Sequence, residues 1–261
     1  MDWKALSIIP FAGLLLALLL FLEQKSEPHK PQSSVVPEFT QIPDFTAYTD
    51  VKKKKRDFFQ FMLPMVRSAN DSVIKEREEI DGFLSIVSSG QALSSEELAR
   101  LEALLLKYRL VNVDPNSVDT LLALSQRADT IPASLVLAQA ANESAWGTSR
   151  FARNGNNFFG IWCYTEDCGD VPRDREEGKR HKVSRFRSVQ AGVDYYFYTL
   201  NSHPAYQSLR EIRAGVREAG LPVTGDKLAA GLLSYSERRE AYVEELRAMI
   251  RVNNLEAFSR R

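Results

Sequence analysis

Cysteine is nearly absent from these 261 residues: there are two, which excludes a disulfide-dense mini-scaffold. Histidine is scarce as well, at three. A zinc site on the two cysteines would need two more ligands, and His181 and His203 are too far apart in sequence to form a local pair. Net charge is also missing. Lys and Arg number 34 against 34 Asp and Glu, which argues against a nucleic-acid binder, whose domain would be strongly basic. No internal repeat is apparent. Hydrophobic residues make up 44% of the chain, too many for general disorder and too few for a multi-pass membrane protein. The length suits one or two domains with a sizeable core.

One long apolar run is present. Residues 5–22, ALSIIPFAGLLLALLLFL, contain no charge and are flanked by Lys4 and by Glu23 and Lys25. As a helix they would span roughly 27 Å, near the hydrocarbon thickness of a bilayer. The exit, LLLFLEQKS, lacks the small-x-small site of a cleaved signal peptide. An uncleaved signal-anchor over 1–25 is therefore expected, with a cleaved signal as the alternative. Either reading sends the rest of the chain across the membrane. Residues 26–50 carry Pro28, Pro31, Pro37 and Pro43 and read as a semi-extended tether. The charge run at 52–56 reads as a solvated face at a helix start.

From 57 to 111 apolar residues recur at three- and four-residue spacing, predicting a helical segment over 51–114. Ser94, with Glu96 and Glu97 behind it, supplies an N-cap and an acidic first turn. The sequence at 114–117, DPNS, punctuates before a further helix over 118–128. The main domain is expected over 115–258.

The informative stretch is 131–162, IPASLVLAQAANESAWGTSRFARNGNNFFGIW. Pro132 and Gly147 bracket a helix of about four turns. Leu135, Gln139 and Glu143 share one stripe of it. Glu143 falls in the last turn, where the helix dipole disfavours a negative charge. Partial burial beside Trp146 and Phe158 would raise its pKa further. A carboxyl that keeps its proton is what a general acid needs, and a glycosidic oxygen is a poor leaving group until protonated. The plain alternative is a surface glutamate paired with Arg150 or Arg153.

The segments QAANESAWG at 139–147 and NNFFGIW at 156–162 resemble the glucosaminidase-type peptidoglycan hydrolases, glycoside hydrolase family 73. The stretches 191–206 and 235–253 look like one branch of that family, and the resemblance covers roughly 115–255. It implies an α+β, mostly α, lysozyme-like domain with a small β-lobe. Such a domain would cleave glycan strands beside N-acetylglucosamine, with Glu143 as catalytic acid. It also implies an assisting acidic residue in the lobe at 161–187, where Glu177 is favoured and Glu176 is its rival. Both read equally well as solvated hairpin charges. The 2-acetamido group of the sugar is a further candidate nucleophile. Tyr235 falls where the resemblance implies a tyrosine facing the acid.

Tyr242, two helical turns on, is a substrate-binding candidate that could also simply pack. Phe159 and Trp162 are candidate sugar-stacking walls, with core packing as the alternative. Asn157 could bond the acetamido group or hold the loop. Cys163 and Cys168 close a C-x4-C loop, which in an exported chain reads as a disulfide. No cofactor, metal or nucleic acid is expected. Two other readings share the fold: a glycan-binding module without turnover, and a scaffold using the 99–110 stripe. Within 171–187 seven Lys and Arg face three Asp and Glu, a basic lip suited to the carboxylates of a cell-wall glycopeptide.

Overall fold

The computed structural model describes residues 41–173, 175 and 178–259. The expected anchor, most of the tether, and both Glu176 and Glu177 lie outside these residues. Among the described residues no helix is long and apolar enough to cross a membrane. The described residues belong to one compact unit.

Helix α1, Val51–Ser88, runs 38 residues, about 57 Å at the usual rise. It starts at Asp50, whose carboxylate accepts the backbone N–H of Lys52 at 2.8 Å and of Lys53 at 3.1 Å. The basic run behind it is largely solvated, as expected, except that Lys55 lies over the Trp146 ring at 4.7 Å. The helix serves two cores. Phe58, Phe59, Met62, Met65, Val66, Ala69 and Val73 enter the main one. Ile80 and Phe83 enter a second, with leucines of α2 (Ser95–Lys107) and α3 (Val118–Arg127). Ser94 and Glu97 form the full capping box at the start of α2. The boundary expected at 114/115 falls within one packed unit, because the first half of α1 shares the main core.

The centre of that core is α4, Ala133–Glu143, in which every residue from 133 to 141 is buried. Such a helix needs neighbours on all sides. It has them in α1, α8 (Gly225–Leu228), α9 (Glu240–Val252) and α10 (Glu256–Ser259). Between α4 and α8 lie α5 (Arg150–Gly155), a small sheet, α6 (Val189–Ser202) and α7 (Gln207–Glu218). The sheet has strands β1 (Trp162–Cys163), β2 (Gly169–Asp170) and β3 (Lys182–Ser184), in the order β1-β3-β2 and antiparallel throughout. Gly169 is required there: a Cβ on it would sit 1.9 Å from the Val183 carbonyl oxygen. Cys163 and Cys168 are joined in a disulfide across the turn between β1 and β2. The fold is thus α+β and mostly α.

Helix C-termini leave carbonyls without partners, and here two buried arginines of α7 satisfy them. Arg213, fully buried, donates to the carbonyls of Gln126, Arg127, Asp129 and Thr130 at the end of α3. Arg210 donates to Leu200 and His203 at the end of α6. Burial alone would push the Asp129 carboxyl up, but Arg213, Arg217 and Arg77 outweigh it and hold the group below its ordinary value.

Candidate active site

Helix α4 stops at Glu143, three residues before the end expected just ahead of Gly147. Ala145, Trp146 and Gly147 all have left-handed backbones, with φ of 50°, 59° and 76°. Three such residues in a row reverse the chain, at about 1–2 kcal/mol for each non-glycine. The Glu-Ser-x-Trp-Gly sequence stabilises this turn. The Ser144 hydroxyl donates back to the Ala140 carbonyl at 2.5 Å and accepts the Gly147 N–H at 2.8 Å. The reversal carries Trp146 onto Phe58 and Phe59, with ring centroids 5.7 and 5.3 Å apart. Gly147 lies flat against Phe45, where a Cβ would come within 2.4 Å of the ring. Glu143 is thereby left as the terminal residue of a buried helix, facing a cleft.

The opposite wall is the Asn-Phe-Phe-Gly loop. Asn157 is 2% exposed. Its amide donates to the carbonyls of Ile161 and Ser184, both at 2.9 Å, and its oxygen accepts the N–H groups of Phe159 and Ile161. Of its two expected roles it therefore performs the second, pinning the loop to β3, and has no bond left for an acetamido group. Phe159 is 1% exposed and stacked on Tyr196 with centroids 4.1 Å apart. As a sugar-stacking wall it is corrected, because neither ring face is open. The loop ends at Gly160, with φ of 62°, where a Cβ would lie 3.2 Å from Glu143 Oε2. The missing side chain leaves room beside that oxygen.

Tyrosines surround the carboxyl. The Tyr242 hydroxyl donates to Glu143 Oε1 at 2.7 Å and accepts from Gln139 Nε2 at 3.0 Å. The Gln139 oxygen in turn accepts from the Tyr196 hydroxyl. Tyr235 stacks on Tyr242 at 5.8 Å, but its hydroxyl donates to the Phe159 carbonyl at 2.6 Å. The tyrosine bonded to the acid is thus Tyr242, and Tyr235 braces the loop opposite. Trp146 and Phe158, expected to bury the acid, pack against α1 instead.

Burial raises the Glu143 pKa above the ordinary carboxylate value, against the opposing hydrogen bonds of Tyr242 and Asn142 and the charge of Arg238. Burial and the Glu143 charge push Tyr206 up to about 12. Tyr242 is also raised, by burial first and by Glu143 next, so it remains a hydrogen-bond donor at any ordinary pH. No ion pair joins Glu143 to Arg150 or Arg153 among the described residues; Arg150 instead reaches the Val171 carbonyl at 3.1 Å.

These groups line a cleft of about 1430 Å³. Trp162 stands at its edge, 50% exposed and stacked on His181 at 4.0 Å. Arg150, Arg173 and Arg175 add positive charge along the lobe side. Among the described residues Glu143 and Glu237 are the carboxylates on its lining. Residues missed from sequence are Gln139, Tyr196, Tyr206 and Gly160. A glutamine four residues before the acid, inside an otherwise apolar helix, was the readable signal for the first.

Residues 119–255 match the glucosaminidase family, described as mannosyl-glycoprotein endo-beta-N-acetylglucosaminidase. Protein bax of Escherichia coli (strain K12) is 36% identical over 217 residues, which cover 82% of this chain and 75% of that protein. No solved structure matches.

Proposed function

This chain belongs to the glucosaminidase family of glycoside hydrolases, and from that membership we propose that it cleaves peptidoglycan glycan strands next to N-acetylglucosamine, with Glu143 as general acid. The observation that carries the reading is a carboxyl whose pKa is raised by burial while its Oε2 lies beside the side-chain-free Gly160 on the cleft wall. The proton leaves Glu143 for the bridging oxygen as the bond from that oxygen to the anomeric carbon breaks. The carboxylate left behind is stabilised by the Tyr242 hydroxyl, an interaction that strengthens as charge develops. The positive charge growing at the sugar is met either by Glu177 or Glu176 or by the substrate's own acetamido oxygen, and water completes the hydrolysis.

The half-exposed face of Trp162 suits sugar stacking. The arginines along the lobe suit the carboxylates of stem peptides. A lysozyme-like arrangement fits a central helix ending at the acid beside a small β-lobe. We place the chain at the bacterial inner membrane through 5–22, with the cleft in the periplasm; the disulfide between Cys163 and Cys168 supports an oxidising compartment.

Mass spectrometry of borohydride-reduced muropeptides tests the bond cleaved. New reducing ends of N-acetylglucosamine are expected; ends of N-acetylmuramic acid, or cleaved peptides, would overturn it. Glu143→Gln should abolish release while the protein still sediments with peptidoglycan. Unchanged turnover would remove Glu143 from the acid role, and binding without cleavage by the wild type would favour a glycan-binding module.

A further inference from the structure

The acid is one end of a buried chain of hydrogen bonds, and that chain has a direction. Tyr196 is 1% exposed and Gln139 fully buried. The Tyr196 hydroxyl meets the Gln139 side-chain oxygen, Gln139 Nε2 meets the Tyr242 oxygen, and the Tyr242 hydroxyl meets Glu143 Oε1. Each hydroxyl has one hydrogen to give. Were the Gln139 amide reversed, its oxygen would take the Tyr242 hydrogen and its NH2 would face Tyr196. The Tyr196 hydrogen would then be buried without an acceptor, which is costly. The amide is therefore held as found. Because Gln139 donates to Tyr242, the Tyr242 hydrogen must point at Glu143.

Resting on the function proposed above, we propose that Gln139 and Tyr196 are positioning residues that fix Tyr242 as a donor to Glu143 Oε1, so that the exchangeable proton of the acid is confined to Oε2. Oε2 is the oxygen beside Gly160, where a Cβ would approach to 3.2 Å. The network therefore selects which of two chemically equivalent oxygens carries the proton, and selects the one beside the open position. It also gives the spent acid a donor already in place, with no side chain needing to turn when charge appears.

Other groups also act on Glu143. The Asn142 side chain hydrogen-bonds the carboxyl from the neighbouring position and favours its charged form. Arg238 and Glu245, paired with each other, act on it with opposite signs. Burial and the Glu143 charge raise the phenols of Tyr206 and Tyr235, which stay neutral.

The test follows the Glu143 carboxyl itself, so it does not depend on catalysis. The full chain, in detergent and labelled with carboxyl-13C glutamate, is titrated by NMR, with Glu143→Gln identifying the signal. A donor to the charged form lowers a carboxyl's pKa. Gln139→Met frees the Tyr242 hydroxyl to accept from protonated Glu143, and should raise the titration midpoint by about one pH unit. Tyr242→Phe should raise it similarly and covers the case in which Gln139→Met does not fold. A midpoint that stays in place or falls in a folded variant overturns the proposal. In turnover, the same variants should extend the alkaline limb of the kcat/KM profile, a change that mere loosening of the core would not produce. Absent wild-type turnover with the expected midpoints would sink the enzymatic reading and leave the relay standing.

Discussion

A carboxyl at the end of a buried helix is held in its protonated form by burial and in its charged form by Tyr242 and Asn142, and burial prevails. This has a consequence for stability. A carboxyl whose folded pKa lies above its unfolded one takes up protons on folding, so its contribution is fully present below the unfolded pKa and is lost as pH rises through the folded one. Glu143→Gln removes that loss. Thermal melts should therefore show the variant more stable than wild type at pH 8, with the gain shrinking toward pH 4; a gain independent of pH would contradict the raised carboxyl. The same residue shows what the sequence could reveal. Its position in the last helical turn and its partial burial were legible from the apolar stripe, because periodicity reports which face is inside. The identity of the burying groups was not, because Tyr242 and Gln139 are 103 positions apart and no local pattern links them.

At the scale of elements, the turn after α4 is what makes the site. The sequence pattern placed the helix end just ahead of Gly147, a reasonable reading of a glycine C-cap. The chain instead leaves the helix earlier, since Ser144 captures the carbonyl of Ala140 and the N–H of Gly147, and Trp146 is drawn to the rings on α1. Packing overrode a propensity signal here. Gly147→Ala should cost about 3 kcal/mol, combining left-handed strain with overpacking against the buried Phe45. Chemical denaturation would read it, and a cost below about 0.5 kcal/mol would show that Phe45 yields freely. The β-lobe was legible in outline, since β1, β2 and β3 all fall within the expected 161–187. Asn157 was ambiguous because one asparagine can serve either a ligand or a loop, and only its four backbone bonds decide.

For the whole molecule, the main core reaches across the boundary expected at 114/115 into the first half of α1. Amphipathic periodicity identifies a helix and its buried face but not which residues cover that face. A chain beginning at residue 41 should leave the membrane fraction and keep the full-length melting temperature. One beginning at 115 should lack a cooperative melt, having lost seven core side chains of α1. A folded 115–261 fragment would show that α1 is dispensable.

The two cores of α1 also differ in when they can form. Its second half finds its partners within the next few turns of sequence, up to Ala128. Its first half waits, since Phe59 meets Phe258 at 6.2 Å, near the other end of the chain. At ordinary synthesis rates of about 5–20 residues per second, roughly 10–40 s separate the appearance of those two rings. For that interval the aromatic face made first is covered only in stages, by Trp146 and Phe158 before Phe258, and the newborn chain must be kept from other surfaces until its last helix arrives.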